Sequence, residues 1–236
     1  MMSVNGQYVK SHACLGKMTS CLFTLLLFYL LTSCTQDAYE KGEGKYSLMR
    51  GDFAEATVNS SKQVTTIVTD DGDELPLTTP YTGKWITKAD TIYRCMLYYN
   101  KVDNKAEVLS MGQVPCPAVL PLEKLKKPLV TDPVKFVSSW MSRTGKYLNL
   151  RILLMTGTTD DTSAVQNLAI VSDTLITHPD HQQIRHLILY HDQSDVPQYY
   201  STQVYLSIPV EKIDADSVRI SINTYDGERI IKHRCK

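Results

Sequence analysis

The 236-residue chain carries 25 basic and 25 acidic side chains, so its formal net charge is zero. This balance excludes the strong basic field by which a protein attracts nucleic acid or anionic lipid without specific contacts. Fourteen tyrosines against four phenylalanines favour half-exposed strand faces, because the tyrosine ring packs while its hydroxyl stays in water.

The first 33 residues differ from the rest of the chain and predict a secretory signal. They hold Lys10 and Lys17, no acidic residue, and an apolar run over 22–31. A helix that spans a bilayer needs about 20 such residues, whereas a positive segment followed by a short apolar run is typical of export signals. The alternatives are a short helix of the core and an anchor that stays uncleaved. Met18 is a second candidate start site.

The apolar run ends in Leu31-Thr32-Ser33-Cys34, which resembles the lipobox of bacterial lipoproteins. In that family the cysteine thiol receives a diacylglyceryl group, and cleavage just before the cysteine makes it the new N-terminus. The resemblance implies a lipoprotein signal peptide over 1–33, lipidation of Cys34, and a polar lipidated tether over 34–45. It also implies attachment to the membrane, at the outer membrane or on the periplasmic face of the cell envelope.

Three cysteines follow Cys34 in the chain, namely Cys95, Cys116 and Cys235. The envelope is oxidising, so a disulfide between two of them is permitted. Cys95 and Cys116 are the candidate pair, because Cys235 is the penultimate residue and the natural one to remain single. No Cys-x-x-Cys or Cys/His spacing typical of zinc sites occurs in the sequence.

Residues 46–115 alternate short β-rich runs with tight turns, which predicts a small barrel of four or five strands. We expect strands at 53–59, 63–69, 91–100 and 106–114. Asp71-Gly72 has the composition of a hairpin turn, because glycine tolerates the positive φ that such turns require.

Five prolines then fall between residues 115 and 133. Proline removes a donor from the strand ladder and fixes φ, so no central strand is expected here. We therefore predict that 116–131 is a proline-rich linker between two domains.

Residues 132–236 repeat the alternation of strand and turn, with seven strands expected at 134–141, 147–155, 168–174, 184–191, 202–209, 218–225 and 229–233. Leu148, Leu150, Ile152 and Leu154 recur with a period of two, which buries one face of a strand. Seven alternating strands in about a hundred residues are typical of a β-sandwich. Trp140 is expected to anchor the core of that sandwich.

The order and spacing of these elements resemble the NigD-like lipoproteins of the Bacteroides group. Besides the lipobox, the resemblance is carried by the segments 132–140, 147–150, 186–191, 199–201, 204–209 and 223–227. It implies an all-β fold, with a small OB-type barrel followed by an immunoglobulin-like β-sandwich. It implies an immunity or binding role with no established enzymatic activity, and no catalytic residues of the family carry over to this chain.

The richest group of chemically active side chains lies at 178–195. Its histidines and carboxylates suit zinc, with His178 and His181 as the candidate ligands. This segment is the basis of an alternative function, an envelope hydrolase or metal-dependent enzyme. Against it, the proline and aspartate between these two histidines indicate a polar turn. His186 and His191 are five residues apart on one strand, which sends them to opposite faces. We expect these four histidines not to converge on a metal.

The remaining motifs do not indicate catalysis. The acidic segment 160–163 lacks the spaced ligands of an EF-hand and is expected to be an exposed loop. No nucleophile elbow and no phosphate-binding glycine loop occur in the sequence. Four aromatic residues of the first domain either stack on sugars or bases, or pack the barrel and its contact with the second domain: Trp85, Tyr93, Tyr98 and Tyr99.

The function expected from the sequence is a non-catalytic binding or interaction role for a lipid-anchored envelope protein. The partner is an unknown protein or glycan, and no cofactor is expected. Nucleic acid is disfavoured as a partner because the chain lacks excess positive charge.

Overall fold

The computed structural model describes residues 47–158 and 164–235. The predicted signal peptide, Cys34, the tether over 34–45 and the acidic segment 160–163 lie outside these residues. The described part is built almost entirely of β-strands. None of its helical segments is long and apolar enough to cross a bilayer.

The first five strands close into a barrel: β1 (Arg50–Val58), β2 (Val64–Thr69), β3 (Glu74–Tyr81), β4 (Thr91–Val102) and β5 (Lys105–Gln113). Their order around the barrel is β1-β2-β3-β5-β4, with β4 pairing back onto β1 and β3 running parallel to β5. The prediction of a small OB-type barrel is confirmed.

The core of the barrel follows from strand alternation. Cys95, Leu97 and Tyr99 occupy every second position of β4, and all three are fully buried. The hydroxyl of Tyr99 donates to the carboxylate of Asp52 at 2.9 Å, which satisfies its polar group at the barrel wall. Gly72, with φ of +91°, makes the turn that joins β2 to β3.

Strand β3 was not predicted from the sequence, because prolines interrupt it. Pro76 lies on the exposed face, while Leu75 and Leu77 on either side of it are buried in the barrel. β3 pairs with β5 at Leu77 and Ala106, so the barrel closes with few backbone hydrogen bonds from β3. Strand positions that make few ladder bonds tolerate proline.

The other eight strands form a sandwich: β6 (Val119–Pro121), β7 (Lys135–Met141), β8 (Tyr147–Thr156), β9 (Asn167–Thr177), β10 (Gln183–Asp192), β11 (Tyr200–Pro209), β12 (Ser217–Thr224) and β13 (Gly227–Arg234). One sheet has the order β13-β12-β10-β9-β6, and the other has the order β11-β8-β7. Short 3-10 turns at Leu122–Lys124 and Val210–Lys212 are the helical segments of the described chain. The predicted β-sandwich is confirmed.

The segment 116–131 was predicted to be a linker, and this is wrong. Strand β6 lies within it and pairs in parallel with β9 as an edge strand of the larger sheet. The N–H of His191 donates to the carbonyl of Val130 at 3.1 Å, which holds the following residues against the same sheet. The prolines of this segment are compatible with an edge strand, where a missing ladder donor faces away from the sheet.

The candidate disulfide between Cys95 and Cys116 is not formed in the structure. The thiol of Cys95 points into the barrel and donates to the carbonyl of Ala54 at 3.5 Å. Burial raises its pKa to about 12, so the thiolate needed for exchange is scarce. Cys116 lies outside the barrel and is exposed. The same alternation that builds the core of β4 keeps the two thiols apart.

Candidate binding groove between barrel and sandwich

The outer face of the three-stranded sheet is polar and aromatic. Leu148, Leu150 and Ile152 of β8 point into the sandwich core, so the odd-numbered residues between them point outward. Residues directly opposite each other on neighbouring strands share a face, which extends this set to β7 and β11. The outward-facing set is Ser138, Trp140, Tyr147, Asn149, Arg151, Tyr205 and Ser207.

The barrel sits on this outer face through a buried polar network centred on Arg94 of β4. The side chain of Arg94 is 2% exposed. Its Nε donates to Ser207 Oγ at 3.1 Å, and its Nη2 donates to Asp70 Oδ2 at 2.7 Å and to Asn149 Oδ1 at 3.2 Å. Asn149 Nδ2 donates to the same Asp70 oxygen at 3.1 Å, and Ser207 Oγ donates to Asn149 Oδ1 at 2.6 Å. The network ties the β2–β3 turn and β4 to β8 and β11.

The guanidinium of Arg94 is also covered by aromatic rings. Its central carbon lies 4.1 Å from the ring centroid of Tyr147 and 5.4 Å from that of Phe53. Among the described residues, its Nη1 has no hydrogen-bond partner. A buried charge is costly unless it is paired and hydrogen-bonded, and cation–π contacts of about 0.5–2 kcal/mol offset part of that cost. Arg94 is therefore held in one orientation.

A second link between the two domains lies at Glu55 of β1. Its carboxylate accepts hydrogen bonds from Lys146 Nζ at 2.8 Å and from the Tyr147 hydroxyl at 2.9 Å. Burial alone would raise the pKa of Glu55, but these two hydrogen bonds and the positive charges of Lys146 and Arg94 together outweigh it and lower the pKa. Nearby, the N–H of Thr144 donates to the carbonyl of Asp70 at 3.0 Å. The two links together fix the barrel relative to the sheet.

A hollow of about 370 Å³ opens where β1 and the β2–β3 turn face β7 and β8. Phe53 is part of its lining, and its ring centroid lies 5.5 Å from that of Trp140 and 5.2 Å from that of Tyr205, both in edge-to-face contact. We call it the front hollow, and its polar lining includes Asp52, Asp71, Ser138 and Arg151.

A second hollow of about 370 Å³, the back hollow, is lined by residues of β4, β5 and β11. Met96 and Tyr98 of β4 line it from the barrel, and Gln203 of β11 lines it from the sheet. Tyr205 lines both hollows. Ligand pockets in proteins measure about 300–1,000 Å³, so each hollow has the size of a small-ligand site. We call the two hollows and their shared residue Tyr205 the seam groove.

The candidate metal ligands His178 and His181 do not line this groove and lie at the turn between β9 and β10. Both are exposed, and the N–H of His181 donates to the carbonyl of His178 at 2.9 Å within the turn. His181 also lines an open hollow of about 700 Å³ together with charged residues of β13. Within the described ranges, no three His, Cys, Asp or Glu side chains are grouped so that they could hold a metal ion.

The other two histidines of the segment lie on strand β10. His191 is buried, and its ring nitrogens lie 3.0 Å from the carbonyl oxygen of Asp132 and 3.1 Å from Gln166 Oε1. His186 is half-buried opposite Arg219 of β12. His191 is thus a structural residue with both nitrogens engaged.

Of the four aromatic residues considered for stacking, one lines the groove. Tyr98 is 40% exposed and lies in the back hollow. Tyr99 is in the barrel core, and Trp85 packs edge-on against Tyr93 with ring centroids 5.5 Å apart. The expectation that Trp140 anchors the sandwich core is wrong, because the register places it opposite Asn149 on the outer face.

The residues of the Arg94 network were not found from the sequence. They come from four strands or turns and have no common spacing. One signal was present, since Asn149 interrupts the leucines of β8 as a polar residue on the opposite face. The partners of Asn149 across the domain contact, Arg94 and Asp70, cannot be identified from the sequence alone.

Solved structures with a similar fold come from bacteria of the genera Bacteroides and Parabacteroides. They include a NigD-like immunity protein of Bacteroides caccae (22% identity, TM-score 0.58, covering 78% of this chain and 91% of that one). A protein of Parabacteroides distasonis described as toxin-related has 14% identity and a TM-score of 0.59, covering 79% and 92% of the two chains. A candidate lipoprotein of Bacteroides fragilis has 14% identity and a TM-score of 0.57, covering 80% and 98%. At these identities the likeness concerns the fold.

No curated protein matches the chain in sequence. A family model does match, over residues 117–233, and that model describes the NigD-like C-terminal beta sandwich domain. The matched range runs from just before β6 into β13 and thus includes the segment that we had predicted to be a linker. The C-terminal part of this chain is a NigD-like β-sandwich domain, as the sequence resemblance implied.

Proposed function

We propose that this chain is a lipid-anchored protein of the bacterial envelope that binds a partner in the seam groove and catalyses no reaction. The observation that carries the binding role is that the groove is already formed. Its two walls belong to different domains, and the buried Arg94 network and the Glu55 link hold these walls in place. A preformed site avoids the entropic cost of ordering its walls when a partner binds.

The lipid anchor and the envelope location are supported by sequence and by relatives. Cys34 ends a lipobox-like motif behind a short apolar run. Two proteins of similar fold are a candidate lipoprotein and a NigD-like immunity protein. The latter is in line with a binding role toward another molecule. The proposed location is the outer membrane or the periplasmic face of the cell envelope.

The alternative, a hydrolase, has one observation in its favour. Ser139 Oγ lies 2.8 Å from His233 Nε2, which is the contact of a serine nucleophile with its base. However, Ser139 lies opposite Leu150 on the core-facing side of β7, and among the described residues no carboxylate is hydrogen-bonded to the His233 ring to orient it as a base. Burial also lowers the pKa of His233. This contact is better explained as one that closes the open edge of the sandwich.

The binding role is tested by photo-crosslinking in the producing bacterium. A benzophenone side chain replaces Ser138 in the front hollow, and a matched one replaces the exposed Lys212. We expect an adduct on irradiation at position 138 and none at position 212. No adduct at either position, or equal adducts at both, would contradict a binding role for the groove.

The anchor is tested by substitution of Cys34. Cys34→Ser removes the thiol that accepts the lipid, so the protein should move from the membrane to the soluble fraction and no longer incorporate radiolabelled palmitate. Cys116→Ser is the control and should leave both properties unchanged. Palmitate incorporation that persists in Cys34→Ser would contradict the assignment.

A further inference from the structure

The seam groove combines aromatic rings with hydrogen-bonding groups, as a site for sugars requires. A sugar ring has apolar C–H faces that pack on aromatic side chains, and its hydroxyls both donate and accept hydrogen bonds. The ring of Phe53 contacts the rings of both Trp140 and Tyr205. Trp140 and Tyr205 are half-buried. Aromatic side chains bring large contact area with few rotatable bonds, so they lose little entropy on binding.

The polar side chains of the groove are held in fixed orientations. Arg151 Nε donates to Gln203 Oε1 at 2.6 Å, and Gln203 Nε2 donates to the Tyr205 hydroxyl at 2.7 Å. Among the described residues, no acceptor engages the two terminal amino groups of Arg151. Within the described part of the chain, the carboxylate of Asp52 accepts a side-chain hydrogen bond from Tyr99, and a carboxylate has room for more. The groove therefore offers both donors and acceptors to hydroxyl groups.

The charge of the groove favours a neutral ligand. Asp52 and Asp71 line the front hollow together with one cation, Arg151. Asp70 also borders the hollow, but its charge is matched by Arg94 at 2.7 Å. Asp71 is paired with Arg143 at 3.5 Å. The remaining charges of the lining, Asp52 and Arg151, cancel, so the hollow has no excess positive charge to attract nucleic acid or sulfated or phosphorylated polymers.

The shape of the groove favours a chain of small units. Its two hollows have similar volumes and share one lining residue, Tyr205. A folded protein partner needs about 800 Å² of contact on each side, with a buried apolar centre. Two small concave sites that share a tyrosine instead suit consecutive units of an oligomer, each of which occupies one hollow.

We infer that the seam groove binds a neutral oligosaccharide, with one sugar unit in each hollow and Tyr205 shared by both hollows. This inference rests on the proposed binding function of the groove. Trp140 and Phe53 supply the apolar contact in the front hollow, and Tyr98 supplies it in the back hollow. Arg151 donates hydrogen bonds to the sugar hydroxyls, and Asp52 accepts hydrogen bonds from them.

The test is titration calorimetry on the chain Leu48–Lys236, which forms one compact unit with both domain cores. The probes are neutral hexasaccharides of glucose, mannose, xylose and N-acetylglucosamine, with a heparin hexasaccharide as the anionic comparator. We expect at least one neutral probe to bind and heparin not to bind. Failure of every neutral probe, or binding of heparin alone, overturns the inference.

Variants then locate the binding. Arg151→Gln and Gln203→Ala change side chains at the protein surface, and each should lower the affinity for the neutral probe at least fivefold. Trp140→Ala should lower it at least tenfold, but it also removes a contact with Phe53, so its fold is checked by circular dichroism. Tyr225→Ala is the matched control, because this exposed tyrosine lies outside the groove, and it should bind as the unmodified chain does. Unchanged binding in Arg151→Gln and Gln203→Ala overturns the inference.

The crosslinking experiment separates this inference from the proposed function. An adduct at position 138 that is removed by glycosidases supports both. An adduct that resists glycosidases and yields peptides of another protein overturns the sugar inference while the binding function stands. The absence of any adduct at position 138 contradicts both.

Discussion

The contact between barrel and sandwich and the turn between β9 and β10 are both rich in polar side chains, but they differ in almost every other respect. The turn gathers His178, Asp180 and His181 within four residues of sequence, and these side chains are exposed. The barrel contact gathers Arg94 and Ser207, which are 113 residues apart, and buries them in one hydrogen-bonded network. The polar side chains of the turn are close in sequence but exposed, whereas those of the domain contact are distant in sequence but buried.

This difference indicates where polar side chains affect stability. An exposed polar group is hydrogen-bonded to water in both the folded and the unfolded state, so its removal changes the free energy of unfolding little. A buried polar group that loses its partner keeps the full cost of leaving water. Substitutions in the two regions should therefore have very different effects.

The largest effect is expected for Arg94→Leu, which leaves Asp70 charged at the domain contact without its cation. Breaking a buried ion pair by removing one partner costs about 3–5 kcal/mol. We expect the free energy of unfolding in urea to fall by that amount. Lys101→Ala, which removes an exposed pair with Asp73 at 2.8 Å, is the control and should cost about 0–1 kcal/mol. Equal costs for the two variants would contradict a buried network.

A smaller effect is expected for His191→Ala. This substitution leaves the carbonyl of Asp132 and the side chain of Gln166 without the imidazole that lies at 3.0 and 3.1 Å from them. The loss of a partner for a buried polar group costs about 1–3 kcal/mol. His178→Ala, at the exposed turn of the same segment, should stay within about 0.5 kcal/mol of the unmodified chain. A larger cost for His178→Ala than for His191→Ala would reverse the comparison.

The Glu55 link should weaken in acid. Its folded-state pKa lies below the ordinary value of 4.5, so its stabilising contribution is complete above about pH 4.5. The contribution is lost as pH falls through the folded-state pKa. The difference in unfolding free energy between the unmodified chain and Glu55→Gln should therefore shrink between pH 6 and pH 3. Lys146→Met should show the same trend, and a difference that stays constant across this range would contradict the link.

The smallest effect is expected for zinc. A site in the folded state that is saturated at about 100 times its dissociation constant would add roughly 2.7 kcal/mol, which calorimetry detects as a rise of several degrees in melting temperature. We expect no such rise, because the exposed turn offers few converging ligands. A zinc-dependent rise that is lost in His181→Ala would revive the metal-dependent enzyme.

Much of the fold was predictable because it depends on local alternation. The leucines of β8 and the isoleucines of β12 each repeat every second residue, and both strands were placed within a few residues of their observed bounds. β3 was missed because Pro76 and Pro80 are ordinarily signs against a strand. β6 was missed because its three residues lie among prolines and depend on pairing with β9.

The seam groove was not predictable in the same way. Tyr98 was a candidate for stacking, but its role depends on which face of the barrel meets the sheet. Trp140 was assigned to the core because tryptophan is usually buried, and its true side follows from its register with Asn149. The pairing of Arg94 with Asp70, Asn149 and Ser207 depends on the docking of two domains, which no local pattern encodes.

Pulsed electron–electron double resonance, which measures the distance between two spin labels, tests most directly whether the groove is preformed. Spin labels are placed at the exposed Lys105 of the barrel and Glu228 of the sandwich, with Cys116 and Cys235 replaced by serine. We predict a single narrow distance distribution in the absence of any ligand, and a broadened one when Arg94→Leu is added. A broad distribution that already exists with Arg94 in place would contradict the account, because the walls of the seam groove would then not be fixed.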